Sequence, residues 1–483
     1  MNYDMRLTIT LILVVATVVA MLIFKRRAIP CYVAIWLFMP HKGQVMFGYP
    51  PDIPQFLFVE LAGAFMLVMI ALMNPVGRNT PNKFSFDIKA FDVRHLLLLV
   101  ISLTVGFQLI VTTFFVTDIF GSHVNIPSSR LFSSVSSEIA GVCFLFASTR
   151  LVKSVRDIEM IMKVFIFCGL SLLVNFVLAV FLPSKLGVLA AKSFNENGLF
   201  FSFFLNDYIL VGIVCGLSSL FCIYFSIQRK SVYWRLLAFI IGCMVFVSFK
   251  RSVIVAFLVA LFVFFVCEYL FVRRQRFRNL PRTVVMICLF ALTGTFIFDQ
   301  FSIATLLTSD DYLVRRVLNY RSSDSVLTRL GIQLRGLEVV TTNFPFGVGN
   351  DMLRFHMAGD IPANMSPADS SISEGYYRVV NGSITESHNG YLEQIASYGL
   401  LGFISMFFVM FIITRNLIFS RRCLAYSRGL YSASLAMAAL IGIFYIFLGY
   451  PRVYIGVFLL LQITYVLRVM NSKLNNENLK LFI

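Results

Sequence analysis

Residues 252–271 read SVIVAFLVALFVFFVCEYLF, a stretch with one charge, Glu268, bounded by Lys250-Arg251 before it and Arg273-Arg274 after it. At 1.5 Å per residue, an apolar run of this length crosses the roughly 30 Å hydrocarbon core of a bilayer as one α-helix. Comparable runs lie at 7–24, 56–73, 95–117, 160–182, 201–227, 283–299, 399–419, 429–447 and 453–469. Shorter or more polar ones lie at 29–39, 133–148 and 234–249. The pattern predicts an all-α polytopic membrane protein with about 12–13 transmembrane helices.

Composition agrees. Of 483 residues, 58% are hydrophobic and 13% charged, against about 25% charged in a soluble domain. The formal charge of +17 raises the question of nucleic acid, but the basic residues fall in short clusters between apolar runs. That is the pattern of loops facing anionic lipid on the cytoplasmic side, and it argues against a nucleic-acid partner. The clusters Lys25–Arg27, Arg273–Arg282 and Arg421-Arg422 fall on one side when all thirteen candidate runs cross. The C-terminus is then cytoplasmic, and residues 300–398 and the N-terminus lie outside. The first run is not expected to be a cleaved signal peptide, because Lys25-Arg26-Arg27 follows it instead of preceding it. Nine cysteines, all but Cys423 inside apolar runs, show no metal-ligand spacing and read as free thiols. The expected organisation is 1–299 as helices 1–10, 300–398 as one large external loop, and 399–483 as the last helices with a short cytoplasmic tail.

The external loop carries the chemistry. It holds seven arginines, Arg315, Arg316, Arg321, Arg329, Arg335, Arg354 and Arg378, and no lysine. Arginine's planar fork meets two oxygens of a phosphate or carboxylate at once. The bland alternative is a solvated loop with ion pairs to Asp310, Asp311, Asp324 and Glu338. Within it, Ser323-Asp324 opens a helical stretch to about Val340, with Leu327, Leu330, Leu334, Leu337 and Val340 as its apolar stripe and Arg329 and Arg335 off that stripe. Phe344-Pro-Phe-Gly-Val-Gly-Asn350 predicts a tight turn with accessible backbone N–H groups. Residues 357–386, rich in Ser, Gly, Pro, Asp and Asn, read as a flap. A second helix is expected over Ser383–Tyr398, with Ser383 and Glu386 at capping-box spacing and His388 on its apolar face. Gly399 then bends the chain into the next span, and Gly402 permits close helix contact. A histidine on an apolar face is more often structural than catalytic when periodicity is the only guide. Lys250-Arg251, the strongest polar break between two spans, predicts a tight helical hairpin at the outer surface, since mid-bilayer cations are costly.

Three landmarks in this order resemble the bacterial family of O-antigen polymerases and O-antigen ligases: Phe249-Lys-Arg251-Ser252; Arg329 ahead of Phe344-Pro-Phe-Gly-Val-Gly-Asn350; and Ser387-His388-Asn389-Gly390-Tyr391-Leu392 leading to Tyr398-Gly-Leu-Leu-Gly402. The motif resemblance covers roughly 235–410. It implies a metal-independent, inverting membrane glycosyltransferase without cofactors, in the bacterial inner membrane with its site facing the periplasm. The implied donor is an undecaprenyl-diphosphate-linked oligosaccharide, and a flippase and a chain-length regulator are implied partners beside the bilayer itself. Arg251 and Arg329, with Arg335 behind them, are expected to bind the diphosphate. His388 is expected to orient or deprotonate the acceptor hydroxyl, with Glu386 as the backup base. A polymerase is the favoured branch. A ligase acting on lipid A core is the first alternative. A lipid-linked-oligosaccharide flippase or transporter is the second, on the strength of Glu60, Asn206, Asp207 and Glu268 inside apolar runs.

Overall fold

A computed structural model describes residues 3–38, 56–73, 93–110, 128–181, 208–247, 251–268, 324–349, 353–357, 376, 380, 389–420, 429–447 and 454–481. Every regular element among them is helical. In chain order these are α1 (Tyr3–Ile23), α2 (Ala28–Phe38), α3 (Phe56–Met73), α4 (Val93–Ile110), α5 (Ser128–Leu151), α6 (Val155–Phe181) and α7 (Tyr208–Arg229). They continue as α8 (Val232–Val247), α9 (Arg251–Cys267), α10 (Asp324–Asn343), α11 (Leu353–Met357), α12 (Gly390–Phe419), α13 (Leu430–Phe447) and α14 (Tyr454–Leu481). The apolar runs at 29–39 and 133–148 are helices despite their short or polar character, because both bury one face against neighbours. The candidate span 283–299, together with Lys250, Asn206, Asp207 and most of the flap, lies outside the described residues.

The chain is a membrane protein with an all-helical architecture. Three described helices, at Val155–Leu178, Val211–Arg229 and Gly390–Phe419, are long and apolar enough to cross a bilayer, and shorter apolar helices accompany them. Leucine, valine and phenylalanine side chains stand exposed along α1, α3 and α12. On a soluble protein such surface would associate, whereas lipid satisfies it.

Close packing is arranged by small residues and buried hydroxyls. A Cβ on Gly169 of α6 would meet the Ser218 side chain at 2.8 Å, so α6 and α7 lie in tight contact there. Ser218 Oγ donates to Phe165 O (2.6 Å) in the same seam, and Tyr224 Oη and Gln228 Nε2 both donate to Glu159 Oε1 (2.9 and 2.8 Å). Ser432 Oγ of α13 donates to Glu268 Oε2 (3.0 Å), and Gln462 Nε2 of α14 to Ser148 Oγ of α5 (3.1 Å). Glu268 thus has a structural partner between two helices, which weakens its standing as a transport carboxylate.

These contacts sort the bundle into two ends. Lys25, Arg27, Arg150 and Lys153 meet at helix ends around one cavity at one end, and Arg415 in the last turns of α12 and Arg468 midway along α14 both lie over the Phe419 ring. The junction of α10 with α12 sits at the other, where Phe346 stacks on Phe107 near the end of α4 with ring centroids 6.4 Å apart.

Candidate functional site

The site is built from a turn docked into a helix kink. After α10 ends at Asn343, the N–H groups of Phe346 and Gly347 return to Asn343 O (both 3.0 Å). Val348 N then donates to Ala396 O (2.9 Å), Gly349 N to Ser397 O (3.0 Å), and Leu400 N to Pro345 O (2.8 Å). The middle carbonyls and N–H group belong to α12, whose helical ladder is interrupted at Gly399 (φ 57°, ψ −139°). The kink exposes backbone groups that a continuous helix would have used, and the Pro-Phe-Gly-Val-Gly turn satisfies them. Only glycine fits. A Cβ at 399 would stand 2.1 Å from Pro345 O, and one at 347 would stand 2.6 Å from both Gly399 N and Ser397 O. The two glycine motifs are therefore halves of one joint. The expectation of accessible N–H groups in the turn is corrected: those of 347, 348 and 349 are spent on Asn343 and α12.

Gly399 does bend the chain as expected. Gly402 serves the same kink, since a Cβ there would meet Tyr398 Cβ at 2.5 Å and Gln394 O at 2.7 Å. Two other expectations change. The second helix begins at Gly390, not Ser383, because Asn389 is its N-cap: Oδ1 accepts from Tyr391 N and Leu392 N (both 3.1 Å). The helical register that set His388 on an apolar face therefore does not reach it; His388 directly precedes the cap. Glu386 and His388 themselves lie outside the described residues.

On α10, the expected leucine stripe is also corrected. Leu330, Leu334 and Leu337 are exposed, while Ile332 and Val339 are buried with Val348, Leu353, Met357 and Ala396 in a small core. Gly331 and Gly336 are buried on that second face. Two apolar stripes share the helix, and the one with Ile332 and Val339 packs against α11 and α12.

Arg335 holds this unit together. Its Nε donates to Met357 O of α11 (3.0 Å), and Nη1 pairs with Glu338 Oε2 (2.9 Å). Tyr376 Oη donates to the same carboxylate oxygen (2.5 Å), and its ring lies 6.0 Å beneath the guanidinium. The Tyr376 hydrogen bond, then that of Arg335, holds the Glu338 carboxyl below its usual range. Burial, then the bond to Glu338, pushes the Tyr376 phenol up. Arg335 is thus a clamp between α10, α11 and the flap, and the ion pair to Glu338 weighed against function is real. Arg329 is half-buried six residues earlier on the same helix.

Arg251 is the first residue of α9. The Ser432–Glu268 bond registers α9 on α13 seventeen residues below it, on the order of 25 Å along the helix. Tyr391 Oη of α12 donates to Gly442 O near the opposite end of α13 (3.2 Å). The start of α9 and the start of α12 therefore flank the same end of α13. Side-chain contacts of Arg251 lie outside the described residues.

Sequence reasoning missed two features. His356 of α11 carries a buried Nε2 with no hydrogen-bond partner among the described residues, and burial lowers its pKa from the usual 6.5. Nothing in the local sequence pattern announces it, since α11 is one turn long. The second is a cavity of about 570 Å³ between α4, α5, α12, α13 and α14. Tyr391, Gln394 and Tyr398 line it at the head of α12, and Met410, Ile413 and Ile418 line it toward the other end. The Thr104 and Ser405 hydroxyls, 2.7 Å apart, mark its side. Apart from Thr414 and Tyr431 its remaining wall is apolar, and its volume is in the range that takes a small ligand or a lipid chain.

Residues 236–407, from α8 through the first half of α12, match a family model described as O-antigen ligase. No curated protein matches the chain.

Proposed function

We propose that this membrane protein, whose residues 236–407 match a family model described as O-antigen ligase, is a surface-polysaccharide polymerase. It transfers a glycan from an undecaprenyl-diphosphate donor to a lipid-linked repeat unit at the periplasmic face of the inner membrane. The observation that carries this reading is the apolar cavity running down α12 from Tyr391, two residues past the His388-Asn389 cap. A glycosyl donor anchored by a polyprenyl chain needs an apolar slot beside the reacting centre, and an apolar cavity opening at Tyr391, close in sequence to His388, supports this reading.

In the proposed reaction the acceptor hydroxyl attacks the anomeric carbon from the face opposite the diphosphate, so the configuration inverts. His388 takes the hydroxyl proton, with Glu386 the next candidate, and the bond to the diphosphate oxygen breaks. The polyprenyl diphosphate leaves with the electron pair, and Arg251 and Arg329 stabilise the charge that develops. Arg335 keeps its clamp and shapes the site without meeting the diphosphate.

The description of the matched family favours a second reading, a ligase that passes the same donor glycan to lipid A core. Purified full-length protein given the lipid-linked repeat unit alone separates the two. A ladder of longer glycans on the same lipid supports the polymerase. Product that appears only when lipid A core is added supports the ligase. No product with either acceptor removes both.

A further inference from the structure

The end of the bundle opposite the α10–α12 joint carries a second built cavity, of about 280 Å³. Its walls are the turn between α1 and α2, the last turn of α3 and the junction of α5 with α6. Lys25, Arg27, Arg150 and Lys153 line it against a single carboxylate, Asp157. That carboxylate is already committed. Its Oδ2 accepts from Lys153 N (3.0 Å), Ser154 N (2.9 Å) and Ser154 Oγ (2.8 Å), while Asp157 N donates back to Ser154 Oγ (3.3 Å), a reciprocal cap on α6. The Arg150 guanidinium is held 4.8 Å over the Phe146 ring, which fixes its direction without neutralising it. Ala28, Ile29 and Pro30 put the N-terminus of α2 on the same cavity, adding positive dipole.

Four cations converge from segments more than a hundred residues apart, and among the described residues none of them has a carboxylate partner within ion-pair distance. Lys25, Arg27 and Lys153 are exposed and Arg150 is half-buried, so solvent screens part of their mutual repulsion, and an anion held between them would relieve the rest. The surroundings say which anion. Leu22, Ile23 and Phe24 precede Lys25, and Leu72 and Met73 follow Ala71; all five side chains are exposed. These form an apolar, lipid-facing rim at the mouth of a cationic pocket, on the side that the basic clusters assign to the cytoplasm.

We propose that this cavity binds the phosphate headgroup of an anionic phospholipid of the cytoplasmic leaflet, with its acyl chains along the exposed faces of α1 and α3. Basic pockets between helices on that side suit such headgroups. The site ties α1–α2 to α5–α6 and is separate from the reaction chemistry above.

The test is native mass spectrometry of the detergent-purified full chain titrated with phosphatidylglycerol, phosphatidylcholine, or inorganic phosphate. Each cation near a lipid phosphate contributes about fivefold in affinity. Wild-type protein should prefer phosphatidylglycerol, and R27Q/R150Q should bind it roughly 25-fold less tightly. R27K/R150K, which keeps the charge, should retain most of the binding, and Arg235→Gln, outside the cavity, should change nothing. An unaltered preference in R27Q/R150Q overturns the proposal, as does equal loss in R27K/R150K. Binding of inorganic phosphate as tight as that of phosphatidylglycerol overturns the assignment to a lipid.

Discussion

Replacing Gly399 by alanine isolates the joint between α10 and α12. The residue sits at φ 57°, ψ −139°, a conformation that costs a residue with a Cβ about 1–3 kcal/mol. The added carbon would also stand 2.1 Å from Pro345 O and 2.7 Å from both Gly347 N and Phe346 C. All three obstacles are backbone, so no side-chain rotation relieves them. The available relief is to part the turn from the helix, at the expense of the bonds Val348 N–Ala396 O, Gly349 N–Ser397 O and Leu400 N–Pro345 O. At about 0.5–1.5 kcal/mol each, these add roughly 1.5–4.5 kcal/mol. Those bonds cap the strain the closed joint can hold, so its opening free energy should fall by about 1.5–4.5 kcal/mol, roughly tenfold or more in population. Hydrogen exchange of the full chain in nanodiscs reads this directly at the amides of Val348, Gly349 and Leu400. Gly106→Ala is the matched control, because nothing lies within 4 Å of its Cβ position. Exchange at these amides unchanged in Gly399→Ala would show that the joint does not exist as described.

Arg251→Ala and Arg329→Ala should each lower turnover by an amount equivalent to about 3–4 kcal/mol, the range for losing one preorganised charge-stabilising group, with only partial rescue by lysine. Arg335→Ala should instead speed proteolysis near Met357 and Tyr376, at a cost of about 1 kcal/mol because its Glu338 partner is half exposed. The Glu338 carboxyl is held below its usual 4.5, so the clamp's contribution is present above that pH and fades as pH falls through the lowered value. His356 is held below 6.5 by burial, so it costs nothing above that pH and destabilises the fold as pH falls below it; protection over α11, corrected for the intrinsic pH dependence of exchange, should fall as pH drops from about 7 through 6.5, and His356→Leu should flatten the trend. Ala438→Phe, which narrows the cavity, should slow donors with long polyprenyl chains more than short-chain analogues.

The membrane class and the helices were legible because apolar runs and basic clusters are local signals. Periodicity failed where two faces competed. On α10 the leucines form the better stripe on paper, yet Ile332 and Val339 take the core they share with Leu353, Met357 and Ala396. Capping chemistry misled once: Ser383 and Glu386 have the right spacing, but Asn389 takes the cap, with Glu393 buried in the first turn after it. The glycine motifs were visible, and their pairing was not, because Pro345 and Gly399 meet across fifty-four residues through backbone atoms alone. The cavities were invisible for the same reason. Each is walled by helices scattered along the chain, and only packing brings Thr104 to Ser405 or Lys25 to Arg150.

The central claim is that glycosyl transfer takes place at the head of α12, with His388 handling the acceptor hydroxyl. Purified wild-type protein and His388→Ala, supplied with an undecaprenyl-diphosphate-linked repeat unit, test it most directly by gel separation of the labelled glycan. The wild type should build a ladder, and His388→Ala should leave the single unit untouched while remaining folded by hydrogen exchange at Val348 and Leu400. Long chains from His388→Ala would contradict the claim and move the test to Glu386.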